Sequence, residues 1–319
     1  MSIRRKALLS ATTLPTEITL YKDGVRERKP VSTLAKELKI TWSEDLTISS
    51  DVPIPEINIK LLNQEEKLWQ DRKRTNPKIL DEDQLTNYLT HVQAHTDKLA
   101  LLDMNKPGDE IGYGIIAEEE IKEGSFITHY SGILELEQSS YSLATEVTTS
   151  LEPEGSKGGL HVEKGQAFVN GAETGNIARF LQSLPTQAEL RGLELPDVNP
   201  SEIATANLKV QGLVKQGIRI TGFVANREIQ PKELVGFSYG PSYWHDNPFW
   251  LFKKNGERLV KVKYNADNRL VLAAPAKKKT PSSSPDRFFK AAPVESKYPA
   301  ATPAPKESGW TAFKKRFGL

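Results

Sequence analysis

GYGIIAEEEIKEGSFITHYSG (112–132) is the stretch on which the reading of this chain turns. Gly112 and Gly114 flank Tyr113 at the head of an apolar run, Ile115-Ile116-Ala117, and Glu123-Gly124 separates it from a second, Phe126-Ile127-Thr128. Short β-prone runs on either side of a Gly-containing turn read as strands. Glycine also lets another group approach the backbone where a Cβ would collide. Alone, a Gly-x-Gly is most often a tight turn, and Lys122-Glu123-Gly124 an ordinary hairpin turn.

The same texture continues to residue 240. Ala167-Phe168-Val169, Ile218-Arg219-Ile220 and Leu234-Val235 alternate with Gly-, Asn- and Pro-containing turns, which predicts a small-strand β architecture over 111–240. Within it, residues 139–166 and 185–206 are polar and lack a regular strand pattern, so they read as insertions of helix or loop. Upstream, Ile18, Leu20 and Val25 flank Asp23-Gly24, predicting a β-hairpin, and a short helix is expected over Ser32 to Lys39. Pro53 and Pro55 then keep the chain extended. Asn63 with Glu66 caps a predicted helix ending near Arg74, and Asp81 with Gln84 caps a second. Leu85, Tyr88, Leu89, Val92 and Leu99 share one face of that second helix. His91 and His95 are one helical turn apart, but with no third ligand in evidence they read as a solvated face, and no metal site is expected.

At 319 residues the chain allows one main domain with appended segments, or two domains. With no cysteine, disulfides, thiolate nucleophiles and cysteine-ligated zinc are excluded. A mean hydropathy of −0.48 and the lack of any run near the roughly 18 apolar residues of a membrane helix predict a soluble protein without membrane association. The apolar patch after Arg4-Arg5-Lys6 is too short for a Sec-type export signal. The net charge of +2 is uneven: ten Lys/Arg against three Asp/Glu from Ala274 onward give a +7 tail and leave −5 on the rest. An acidic body suits a basic peptide partner. The tail's seven prolines, Lys277-Lys278-Lys279 and Ser282-Ser283-Ser284 predict disorder. Trp310, Phe313 and Phe317 among Lys314, Lys315 and Arg316 leave open a short docking helix at its end.

The order of these segments resembles that of the SET-domain protein lysine methyltransferases. Gly112-Tyr113-Gly114, Ile121-Lys122-Glu123-Gly124 and Tyr130-Ser131-Gly132 match its first half in sequence order. GNIARF (175–180) resembles the family's Gly-Asn-x-x-Arg-Phe, and the run from Phe223 through Glu233-Leu234 to Phe237-Ser238-Tyr239-Gly240 resembles its last element. The resemblance implies an α+β, SET-type fold of small β-sheets with a knot-like C-terminal crossing, after a helical N-terminal region and before a disordered tail. The implied boundaries are an N-terminal hairpin and helical support over 1–104, a catalytic domain over 105–255, a post-domain segment over 256–273 and the tail over 274–319.

It also implies roles. Tyr239 and Tyr130 would be catalytic; Gly112, Tyr113, Gly114, Asn176, Arg179, Phe180 and Gln182 would hold S-adenosyl-L-methionine; Phe237, Tyr243 and Trp244 would line the substrate channel. Phe rather than Tyr at position 237 is associated in the family with adding more than one methyl group. The partner would be a protein with a target lysine, a histone among the candidates, with no direct nucleic-acid binding expected. Where the family continues Asn-His-Ser this chain has Gln182-Ser183-Leu184, and Ser238 stands where most members have Asp. A catalytically inactive SET-like binding module and a basic-tail scaffold therefore stay open as alternatives. The absence of cysteine-rich zinc modules is more like a bacterial member, cytoplasmic or secreted into a host cell.

Overall fold

In the computed structural model, residues 6–49, 52, 64, 67, 68, 82–106, 111–138, 141–154, 159–193, 195, 198–244 and 247–273 are described. Among them the chain is mostly β-sheet with few and short helices. The expectations for Pro53 and Pro55, for the body of the helix ending near Arg74, and for the tail from Ala274 fall outside those residues. No described helix is long and apolar enough to cross a membrane.

Two large sheets carry the structure. In one, the strand Tyr113–Ala117 lies between Leu99–Asp103 and Leu234–Phe237, and the order extends to the hairpin Glu17–Lys22/Val25–Pro30 on one side and to Gln182–Ser183 on the other. Residues 114–117 are all buried, as a strand covered on both faces requires. The predicted hairpin at Asp23-Gly24 is present; both residues take positive φ (50° and 78°), which matches the twist of its strands. Its outer strand, Val25–Pro30, carries Arg26, Glu27, Arg28 and Lys29 on the free edge, a composition that discourages further strand pairing. The N-terminal segment is thus woven into the same sheet as the double-glycine strand.

The second sheet contains Phe126–His129, Gly132–Glu135, Leu208–Lys215 and Ile218–Ala225, together with the hairpin Ser142–Glu154/Gly159–Asn170. That hairpin corrects the reading of 139–166 as helix or loop. Thr145, Val147, Thr148 and Val169 supply β-branched residues, but the interspersed Ser, Glu and Lys hid the alternation. The described residues between 185 and 206 form turns and irregular chain with a short 3-10 segment, Pro200–Glu202, within the helix-or-loop reading.

The predicted second helix is also corrected. It runs Glu82–Thr90, breaks at His91 (φ −123°, ψ 40°), resumes as Val92–Thr96, and Leu99 opens a strand. Leu85, Tyr88 and Val92 are buried as the periodicity predicted. The expected short helix is Val31–Glu37, ended by Lys39 at φ 54°.

Where the sheets and helices meet lies a buried polar cluster. The Glu44 carboxylate, 1% exposed, accepts from Trp42 Nε1 (3.0 Å), the Tyr88 hydroxyl (2.7 Å) and Asn176 Nδ2 (2.6 Å). Burial pushes Glu44 above the usual carboxylate range, and the three donors oppose that rise. Beside it His129 is fully buried, with neither ring nitrogen hydrogen-bonded, and burial lowers it from 6.5 to about 4.

A histidine depressed in the native state contributes stability that is present above its unfolded value of 6.5 and is lost as pH falls toward about 4. That window corresponds to about 3 kcal/mol. Glu44, raised in the native state, acts in the opposite sense in wild type and variant alike. Thermal melts between pH 7 and pH 4 should therefore show a shallower acid loss for His129→Leu than for wild type; parallel curves would contradict this account.

Candidate active site

Residues 175–184 connect the two sheets. Asn176 caps the 3-10 turn Ile177–Phe180 by accepting from Ala178 N (3.1 Å), and Leu181 then leaves in an extended conformation. Gln182 and Ser183 run parallel to Gly236 and Phe237. Gln182 Nε2 donates to the Tyr113 carbonyl (2.7 Å), and the Tyr239 hydroxyl donates to the Leu181 carbonyl (2.7 Å). Asn207, fully buried, secures the far strand by donating to the Leu234 carbonyl (2.8 Å) and accepting from Gly236 N (3.0 Å). Through residues 181–183 the double-glycine strand and Tyr239, more than a hundred positions apart, become neighbours.

An aromatic series surrounds Tyr239. Its ring centroid lies 4.7 Å from Phe237, 4.8 Å from Tyr243 and 6.3 Å from Trp244, while Phe237 packs 4.9 Å from Phe223. Trp244 stacks on Phe249 (4.7 Å), and Phe249 stacks on Tyr264 (5.8 Å). Tyr243 is half exposed at the outer side of this group. The Tyr130 hydroxyl donates to the Tyr141 carbonyl (2.7 Å), and the Arg179 guanidinium lies 4.6 Å over the Tyr141 ring and 5.2 Å from Phe180. Burial raises the Tyr239 hydroxyl far above the ordinary phenol range, with the neighbouring Tyr130 and Tyr243 adding to the effect. Burial likewise raises Tyr130, and Arg179 opposes it. Both phenols therefore stay protonated at neutral pH.

Tyr113, Arg179, Phe180, Gln182, Phe237, Tyr239, Tyr243 and Trp244 form one connected group, with Tyr130 joined to it through Arg179 and Tyr141. The Asn176 side chain is turned toward the Glu44 cluster. Its amide gives both N–H groups to Glu44, Thr128 Oγ1 and the His129 carbonyl, and its oxygen accepts from Ala178 N. Both amide N–H groups are thus engaged within the Glu44 cluster.

The two glycines have different surroundings. Gly112 takes φ +92° with open space where its Cβ would be, whereas a Cβ on Gly114 would run into Met104 and crowd Leu234. Gly114 thus serves internal packing, and only Gly112 faces room for another molecule. The substituted positions are occupied in their own way. Ser183 Oγ accepts from Trp244 Nε1 (2.9 Å) and lies 3.4 Å from Tyr239 N, while Ser238 Oγ donates to the Glu189 carboxylate (3.1 and 3.2 Å). Tyr141, Glu189 and Tyr264 went unpredicted. Tyr141 lay in the stretch read as an insertion, and nothing local marks the other two, whose significance is their meeting in space. A separate cleft of about 330 Å³, lined by Gln84, His95, Lys98 and Phe126 among others, includes none of the predicted site residues.

No protein-family model matches the chain, and no curated protein sequence does. Among solved structures it is similar to ATXR5 in complex with histone H3.1 mono-methylated on R26, at 17% identity over 65% of this chain and 84% of that one, with a TM-score of 0.40. It is similar to the methyltransferase domain of human histone-lysine N-methyltransferase SETMAR at 18% identity over 44% of each chain, TM-score 0.29. It is also similar to KRYPTONITE in complex with mCHH DNA, an H3(1-15) peptide and SAH, at 18% identity over 47% of this chain and 24% of that one, TM-score 0.28. At such identities and TM-scores they assign no role to any residue here.

The closeness of 182–184 to 236 is testable. A Cβ at Gly236 would run into the Gln182 carbonyl and the Leu184 side chain. Gly236→Ala should cost about 1–3 kcal/mol by overpacking, read as a lowered midpoint in denaturant unfolding; an unchanged midpoint would contradict the pairing.

Proposed function

We propose that this chain is a protein lysine methyltransferase of SET type, using S-adenosyl-L-methionine and acting on a basic protein such as a histone. The observation that carries the reading is the juxtaposition through residues 181–183: the Tyr239 hydroxyl and the strand after Gly112 are bonded to adjacent residues of one crossing segment. The catalytic unit is proposed over 105–255, with the knot-like crossing formed by 175–184 and 234–240.

The residues present fit the methyl donor in part. Arg179 has a buried Nε with no hydrogen-bond partner, suited to an anionic group such as the donor's carboxylate; Phe180, edge-on to Tyr113 at 6.0 Å, offers apolar wall; Gly112 leaves its backbone approachable. When bound, the donor supplies a methyl group on a cationic sulfonium. The chain's own contribution is alignment and exclusion of water. A free lysine, with a pKa near 10.4, must lose its proton before its lone pair can form the new N–C bond as the S–C bond breaks. Tyr239 and Tyr130, held protonated by burial, cannot take that proton, which leaves to solvent. Their oxygens already donate to main-chain carbonyls, and the remaining lone pairs can accept from the amine N–H groups and orient it. Phe237 brings no hydroxyl to anchor a water beside the amine, which supports di- or trimethylation.

An inert binding module is the second reading, favoured by the commitment of the Asn176 amide to Glu44. Calorimetric titration with S-adenosyl-L-methionine separates the two, since the module would show no heat of binding. Incubation with labelled donor and a panel of basic proteins should give label transfer, and Tyr239→Phe should reduce it about 10²-fold. Mass spectrometry should find di- or trimethyl-lysine; monomethyl product alone at saturating donor would reject the role given to Phe237.

A further inference from the structure

Glu189 belongs to none of the sequence segments that met at the site, yet its side chain gathers more donors than any hairpin or turn needs. Thr186-Gln187-Ala188-Glu189 forms a reciprocal capping box: Thr186 N donates to Glu189 Oε2 (2.6 Å) and Glu189 N donates to Thr186 Oγ1 (3.2 Å). A capping box alone would be satisfied there. The same carboxylate also accepts from the Ser238 hydroxyl (3.2 and 3.1 Å) and from the Tyr264 hydroxyl (2.8 Å). Three elements thus meet on one anion: the loop after Leu184, the residue before Tyr239, and the strand Arg258–Tyr264 of the C-terminal three-stranded sheet.

The consequence for Tyr239 follows from Ser238. Its hydroxyl donates to Glu189 and accepts from Gly240 N (3.1 Å), so the main chain is pinned on both sides of Tyr239. Tyr264 is linked through Phe249 to Trp244, which stacks on Tyr239. Charge-assisted bonds to a carboxylate are about twice as strong as neutral ones, so this is a firm tether for a partly exposed segment.

We propose that Glu189 is a positioning residue, a latch that sets the Tyr239 ring and the Trp244 wall against each other by holding Ser238 and Tyr264 on one carboxylate. The proposal deepens the methyltransferase reading and rests on it for the kinetic part of its test. In Glu189→Gln, the amide must present N–H to a site that receives only donors, so at least one tether is lost while volume is kept.

The test uses the full chain carrying 5-fluorotryptophan, with the Trp244 and Trp42 signals assigned by single Trp→Phe replacements. In Glu189→Gln the Trp244 resonance should shift or broaden while that of Trp42, buried against Glu44, stays fixed. Turnover should fall about 10- to 100-fold through misalignment, with the KM for S-adenosyl-L-methionine unchanged. Tyr264→Phe, which removes one donor and nothing else, should give the same pattern more weakly, and serves if the glutamine variant unfolds. A fixed Trp244 resonance with unchanged turnover in both variants overturns the latch. So does a loss that moves Trp42, the melting temperature and both kinetic constants together, which would mark a merely structural role. If the wild type neither binds the donor nor transfers methyl, the functional reading fails, and the Trp244 resonance still decides whether the latch exists.

Discussion

One buried carboxylate sets the position of everything else. Glu44, 1% exposed, is reached by the indole of Trp42, the hydroxyl of Tyr88 and the amide of Asn176, which come from three distant parts of the chain. A carboxyl group removed from water is costly unless its acceptor sites are filled, so these partners are held by the penalty for leaving any one of them unpaired. Asn176 is the partner that connects this cluster to the candidate site. With its amide committed to Glu44 and its oxygen capping the turn Ile177–Phe180, the direction in which Arg179, Phe180, Leu181 and Gln182 leave is determined.

From that anchor the crossing segment organises the candidate site. Main-chain carbonyls, at Tyr113, Leu181 and Tyr141, receive the amide of Gln182 and the hydroxyls of Tyr239 and Tyr130. Each tethered side chain is thereby oriented by backbone, which is more rigid than another side chain would be. The aromatic series from Phe223 to Tyr264 supplies a water-poor wall around the two phenols. The same burial keeps those phenols protonated, so in the proposed reaction they would orient the amine rather than take its proton. Support for the Tyr239 side comes from the opposite direction, through Glu189 and the C-terminal sheet.

Two substitutions that looked like losses in the sequence have local explanations. Ser183 is too small for the volume of an imidazole, and the Trp244 indole reaches in to bond its hydroxyl while stacking on Tyr239. Ser238 carries no charge of its own, but its hydroxyl rests on the Glu189 carboxylate. In both cases the serine hydroxyl is engaged by a residue remote in sequence, a contact that a motif comparison along the chain has no means of detecting.

The sequence by itself determined the small-strand β character of 111–240 and the hairpin at Asp23-Gly24, because these follow from side-chain periodicity and from the φ freedom of glycine, both local properties; the set of segments expected to converge came from the resemblance to the SET-domain family. It misread 139–166, where polar residues on an arm paired mostly to itself left too little alternation, and it extended a helix through His91 to Leu99, where a strand partner outweighed the helical spacing. Only the tertiary structure decided that Asn176 belongs to Glu44, that Gly114 makes room for Met104, and that Glu189 meets Ser238 and Tyr264. The physical reason is that hydrogen-bond partners and excluded volume are chosen among groups brought together by folding, and separation along the chain carries no record of that choice.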